Sequence, residues 1–188
     1  MTAVCRACAG LGTPITAVSG AVTDPAPGGR AISVSLAALD HLRADAGAMI
    51  VRAGAGATLV SLRAAVDGAG MALVGVPGGG PGVAVHAGSL VARGQVPPRA
   101  LTGIEAVLPD GELVHAGGGV LKDVTGYDLA GALLGSMGRL ALITEVVFRL
   151  QPQQARAAAP EAAAGASAAV SELLRQAFDP DGLMVAAR

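Results

Sequence analysis

The chain of 188 residues carries 28 Gly and 11 Pro; 52% of its residues are apolar, 2% are aromatic and 14% are charged. Thirteen basic and fourteen acidic side chains leave a formal net charge of -1. A near-neutral surface with so few aromatic platforms excludes a nucleic-acid or anionic-membrane interface, and the apolar content excludes a disordered chain. The length fits one domain, or one domain with a fragment of a second. Much of the apolar fraction is Ala, which buries little area per residue, so the expected core is broad and thin.

No stretch offers the about 20 uninterrupted apolar residues of a membrane span. Residues 72–85 are broken by Pro77 and Pro81, and residues 129–150 by Arg139, Glu145 and Arg149. No basic region precedes an apolar run at the N-terminus, so no secretory signal is expected. Two cysteines make no disulfide framework, and the expected compartment is the cytoplasm.

Val4, Ala7, Cys8 and Leu11 share a helical face that Gly12 can end. A short strand is expected at 15–18, a Gly/Pro loop at 19–30, and a second strand at 32–34, after which Ser35 can cap a helical turn through Leu39. A third strand at 49–53 leads through Gly54 and Gly56 to Thr58, a helix N-cap. The helix that follows sets Leu59, Leu62, Val66 and Ala69 on one face and ends at Gly70. A strand is expected at 73–76, then a Gly/Pro loop at 77–82. Strands at 104–108 and 112–114 flank Pro109-Asp110-Gly111, which reads as a hairpin turn. A short helix at 128–134 ends at Gly135. A long strand at 140–150 alternates, with Thr144 the polar exception on its apolar face and Glu145 and Arg149 on the other. Residues 151–165 form an Ala/Pro/Gln-rich linker. Beyond it, Val170, Leu173, Leu174, Ala177 and Phe178 define an amphipathic helix, followed by a turn at 179–182 and the start of a strand. The pattern predicts an α+β fold with mixed sheets rather than a doubly wound one.

Four motifs could carry chemistry. Cys5 and Cys8 have dithiol or half-zinc-site spacing. No second pair accompanies them and the three His are scattered, so both are read as small buried hydrophobes and no metal is expected. Gly54-Ala55-Gly56 follows a strand and opens a helix, as a dinucleotide fingerprint does. Leu59 stands where its third Gly belongs, so it is read as a capped strand-to-helix turn. The Gly-rich loops at 19–23, 78–82 and 117–119 can converge backbone N–H groups on an anion, although Gly is abundant throughout. The run KDVTGYDL, residues 122–129, groups Lys122, Asp123, Asp128 and the only Tyr of the chain, and reads either as a ligand-lining loop or as a surface loop.

KDVTGYDL, followed by LGSMG at 134–138 and LITEV at 142–146, resembles the signature of FAD-linked oxidases of the vanillyl-alcohol oxidase and p-cresol methylhydroxylase type. The glycolate oxidase FAD-binding subunits are the group it is most similar to. The resemblance covers most of residues 3–152. It implies a two-subdomain α+β fold, N-terminally truncated, with FAD between the subdomains over residues 1–150. Residues 166–188 would then be the start of a mostly absent cap domain. A first loop at the pyrophosphate would be Ser19, Gly20, Ala21, Val22 and Thr23. A second, passing the flavin, would include Gly79, Gly80, Gly82 and Val83. Gly126, Tyr127 and Asp128 would lie close to the cofactor, and Leu142, Ile143 and Thr144 on its adenine and ribose side.

No His sits in the first loop, so the expected FAD is non-covalent. The implied activity is oxidation of a 2-hydroxy acid such as glycolate or lactate, with a partner subunit or a homo-oligomer completing the substrate site. His86, His115 and Tyr127 are proton-handling candidates by residue type alone. The shortened loops motivate an alternative, an FAD-free structural or interaction subunit.

Overall fold

The computed structural model describes residues 1–18, 31–76, 84–117, 128–153 and 168–185. Helix α1, Thr2–Gly10, buries Cys5 and Cys8 and is followed by Gly12 at φ +60°. Strands β1 (Ile15–Val18) and β2 (Ile32–Ser35) pair in parallel, Ile15 opposite Ile32. A turn closed by Leu39 N–H on Leu36 O replaces the helical turn expected after Ser35. It delivers the chain to a strand that the sequence did not signal, β3 (Leu42–Asp45), which pairs antiparallel with β4 (Ile50–Gly54). In β3 only two of four residues are apolar and none is fully buried, so it lacks the pattern that marks a core strand.

Helix α2, Leu59–Gly68, starts where expected: Thr58 accepts a hydrogen bond from Ser61 N–H at 3.1 Å. Leu59, Leu62 and Val66 are its buried stripe. Strand β5 is Met71–Leu73, begun earlier than the expected 73–76 because Gly70, at φ +69°, turns the chain at once. Helix α3, Ala87–Ala92, was not expected. Its AGSLVA sequence has too few large side chains to show a period, yet five of its six residues are buried.

Strands β6 (Leu101–Val107) and β7 (Leu113–Gly117) form the expected hairpin. Gly111 sits at φ +84°, Leu108 O accepts its N–H, and Asp110 Oδ1 accepts from Glu112 N–H at 2.8 Å. Short helix α4, Leu129–Leu133, precedes β8, Leu142–Pro152. Helix α5, Ala168–Phe178, and β9, Met184–Val185, close the described chain.

These strands form two sheets. The smaller is parallel, in the order β2-β1-β9. The larger is antiparallel, in the order β3-β4-β8-β6-β7, with β5 on the far end of β8. Within the segment read from sequence as a cap-domain start, the described strand β9 lies beside β1, with Ile15 N–H donating to Leu183 O at 2.6 Å. Strand β8 is the axis of the larger sheet, and Leu142, Val146, Phe148 and Leu150 are all nearly inaccessible. Among the described residues no helix is long and apolar enough to cross a membrane.

Candidate functional site

A small cleft, with about 20 Å³ open to a water-sized sphere, lies between the two sheets. Ala17 of β1 and Leu36 after β2 form one wall, both from the small-sheet side. Gly88, Ser89, Ala92 and Arg93 of α3, with Met137, Gly138, Ala141 and Ile143, form the other.

Helix α3 can sit this close because its neighbours are small. A Cβ on Gly88 would stand 2.8 Å from the Ala55 Cβ, and Gly88 N–H donates to Ala55 O at 2.9 Å. At its other end, Val91 O and Ala92 O accept from Gly135 N–H (2.9 Å) and Met137 N–H (2.7 Å). The LGSMG run is therefore the turn that caps α3 and seats the cleft wall. Gly135 and Gly138 are left-handed at φ +77° and +73°. Met137 is left-handed too, at φ 55°, a conformation that is uncommon away from Gly, and its side chain lines the cleft.

Of the residues the resemblance assigned to cofactor binding, Ser19 to Thr23, Gly79, Gly80, Gly82, Val83, Gly126 and Tyr127 lie outside the described residues. The other four separate by role. Ile143 lines the cleft. Leu142 is core. Asp128 Oδ1 accepts from Gly131 N–H at 2.8 Å and caps α4. Thr144 is 7% exposed and donates its hydroxyl to Glu105 Oε1 at 2.7 Å. Residues of α3 and the small sheet were not singled out from sequence, because small and aliphatic side chains carry no chemical signature. The one usable signal was the pair Gly88 and Ala92, four apart on one helical face.

Polar groups elsewhere tie the larger sheet together. Glu145 Oε1 accepts from Arg52 at 2.8 Å and Oε2 pairs with His41 Nε2 at 2.9 Å. Burial pushes the Glu145 carboxyl up, but the hydrogen bonds from His41 and Arg52 outweigh it, and its pKa lies below the ordinary carboxylate value. His86, at the N-terminus of α3, has its pKa lowered by burial, which keeps the ring neutral at neutral pH. Burial, and then the neighbouring Cys8, raise the Cys5 pKa, and both thiols are buried and free in α1.

The two glycines at 54 and 56 are structural. A Cβ on Gly54 would collide with Leu39 O, and one on Gly56 with Leu36 O, where the loop before β3 crosses the end of β4. They serve close packing of backbone on backbone, the reading as a capped turn rather than a dinucleotide fingerprint.

No protein-family model matches the chain. Curated relatives do. An uncharacterized FAD-linked oxidoreductase of Mycobacterium tuberculosis is 35% identical over 154 residues, which is 76% of this chain and 33% of that protein. A D-lactate dehydrogenase of Archaeoglobus fulgidus is 35% identical over 128 residues, 65% of this chain and 29% of that protein. The glycolate oxidase subunit GlcE of Escherichia coli is 31% identical over 116 residues, 56% of this chain and 32% of that subunit. The chain belongs to the FAD-linked oxidase family. It spans about a third of the length of the relatives it matches.

Proposed function

We propose that this chain is the FAD-binding part of a flavin-dependent oxidoreductase that acts on a 2-hydroxy acid such as glycolate or lactate. The observation that carries the reading is the cleft between the two sheets, read together with the relatives. Its lining is chemically suited to the group. Small side chains at Ala17, Gly88, Ala92 and Ala141 would let a ligand approach the backbone, Leu36, Met137 and Ile143 offer apolar contact, and among the described residues Arg93 is a cation with no carboxylate beside it in the lining. An aromatic cofactor with a diphosphate asks for that combination. Two sheets flanking one cleft also favour the two-subdomain arrangement of the p-cresol methylhydroxylase type.

When bound, FAD supplies the acceptor for the electrons of the 2-hydroxy acid. The protein's part is binding and orientation. Ile143 and Met137 would hold the cofactor by apolar contact, and Ala17 would line the opposite wall. The α3 helix is fixed to Ala55 below and to the 135–138 turn above, so that wall is preorganised rather than formed on binding. A partner chain or a second copy contributes the remaining substrate contacts.

The test is spectroscopic. The purified protein, alone and with FAD added, is scanned for a flavin absorbance band, and glycolate or D-lactate is then added without oxygen. The proposal expects a bound flavin that bleaches with one of these acids, alone or once a partner subunit is supplied. A protein that leaves added FAD free in solution would instead be the FAD-free structural subunit.

A further inference from the structure

A hollow with about 350 Å³ open to a water-sized sphere lies where the ends of three elements meet, a volume in the range of ligand pockets. Ala9 near the end of α1 forms one side, and Leu108, Pro109 and Asp110 of the β6–β7 turn form another. The run from α5 into β9 closes it with Ala177, Phe178, Pro180, Asp181 and Leu183 around Asp179. None of these residues lines the cleft between the sheets.

The walls are mostly apolar and the charge is of one sign. Every polar side chain in the lining is an Asp, and among the described residues no Lys, Arg or His joins them. Asp179 is buried with both oxygens accepting from Leu183 and Met184 N–H, so it adds charge but no spare acceptor for a ligand. Asp110 and Asp181 are exposed, and Asp110 Oδ1 is held on the turn by Glu112 N–H. Of the Arg residues on the same elements, Arg175 is bonded to Glu172 at 2.7 Å, and the Arg6 stem lies against Gly111 beside the turn. An incoming Arg or Lys side chain matches both features of the lining: its stem covers apolar wall while its head keeps to carboxylates and water.

The rim favours a cation carried on a protein. Leu173, one turn before Ala177 on the same face of α5, is 66% exposed, and Leu11, two residues past Ala9, is 78% exposed. Large aliphatic side chains left in water beside a pocket extend the apolar contact beyond what a small molecule covers. We propose that this hollow is a docking site for a partner protein, taking a segment that presents Arg or Lys next to an aliphatic side chain. The basic head pairs with Asp110 and Asp181, and the aliphatic neighbour packs on Ala177 and Leu173.

The chain of 188 residues, nitrogen-labelled for NMR, is titrated with end-blocked hexapeptides in which Leu alternates with Arg, Glu or Ser, and with agmatine as a free guanidinium. The Leu/Arg peptide should shift the amides of Asp110, Phe178 and Asp181 and leave those of β4 in place. The Leu/Ser peptide should bind more weakly and the Leu/Glu peptide most weakly, and added salt should weaken the Leu/Arg peptide most. Asp110→Asn and Asp181→Asn should each weaken the Leu/Arg peptide about two- to fivefold, the scale of one exposed ion pair, and Leu173→Ser should weaken the Leu/Ser peptide as well. All three residues are exposed, and Asn at 110 keeps an acceptor for Glu112 N–H, so melting temperatures should not change. Leu/Arg and Leu/Glu peptides of equal affinity, or a Leu/Arg affinity unchanged in D110N and D181N, overturn the proposal. Agmatine that binds as tightly as the Leu/Arg peptide, with the same shifts, makes the hollow a site for a free organic cation and overturns the docking assignment. A Leu/Arg peptide that moves no pocket amide at millimolar concentration overturns it outright. No FAD enters the titration, so this proposal and the cofactor reading stand or fall separately.

Discussion

Asp179 joins the C-terminal strand to the small sheet, and its removal has a calculable cost. Its side chain is 1% exposed, and its two oxygens accept from Leu183 N–H and Met184 N–H, each at 2.8 Å. Those residues lie against β1: Leu183 O accepts from Ile15 N–H, and Met184 is opposite Ile15, itself fully buried. Asp179→Ala deletes two hydrogen bonds to an ionised acceptor and leaves two N–H groups without a partner. Each such bond is worth about 1.5–3 kcal/mol, and release of the carboxylate from burial offsets part of the sum, so a net loss of about 2–4 kcal/mol is expected. Asp179→Asn keeps one acceptor oxygen and should lose about half as much. Urea unfolding gives the free energies, and amide hydrogen exchange gives the site: Leu183 and Met184 should exchange faster in D179A before the amides of β4 and β8 do. A loss below about 0.5 kcal/mol, the range of an ordinary surface substitution, would refute the latch.

Three other substitutions probe the frame around the cleft. Gly54→Ala forces a Cβ against the Leu39 carbonyl and within 2.9 Å of His41 Nδ1, and should cost more than about 2 kcal/mol or abolish soluble expression; a variant as stable as the parent would mean the loop before β3 can move away. Phe148→Ala empties the largest fully buried side chain of β8 and should cost about 3–5 kcal/mol by thermal or urea unfolding. Glu145→Gln tests the pH dependence. The folded pKa of Glu145 lies below its unfolded value, so its stabilisation is present above the unfolded pKa and is lost as pH falls through the folded one. Stability against pH should therefore be flatter on the acid side for E145Q than for the parent, with the difference largest at neutral pH, and parallel profiles would remove the ion pairs from the account.

The elements that the sequence made legible are those where one kind of residue settles local structure. Thr58 caps α2 and Pro109-Asp110-Gly111 turns the hairpin; in β8 the expected face is buried, with Thr144 on a hydroxyl bond to Glu105, but Ile143 and Val147 of the other face are buried too, so the strand is covered on both sides. What was illegible is tertiary in origin. Strand β3 exists because β4 offers an edge to pair with, and α3 because Ala55, Gly135 and Met137 satisfy its backbone, neither of which shows in a window of ten residues. For the site, the LGSMG run pointed to the right neighbourhood and its glycines are explained by left-handed turns at 135 and 138. Arg93 gave no signal, since an isolated Arg after a short stretch of Ala, Gly and Val looks like any solvated charge.

The central claim is that this chain holds FAD in the cleft between its two sheets, and the most direct measurement is a fluorescence titration of FAD with this chain of 188 residues. The account predicts a saturable change with a stoichiometry of one FAD per chain. No change with protein up to about 100 μM, which would bound the binding free energy at only about -5.5 kcal/mol, would contradict it.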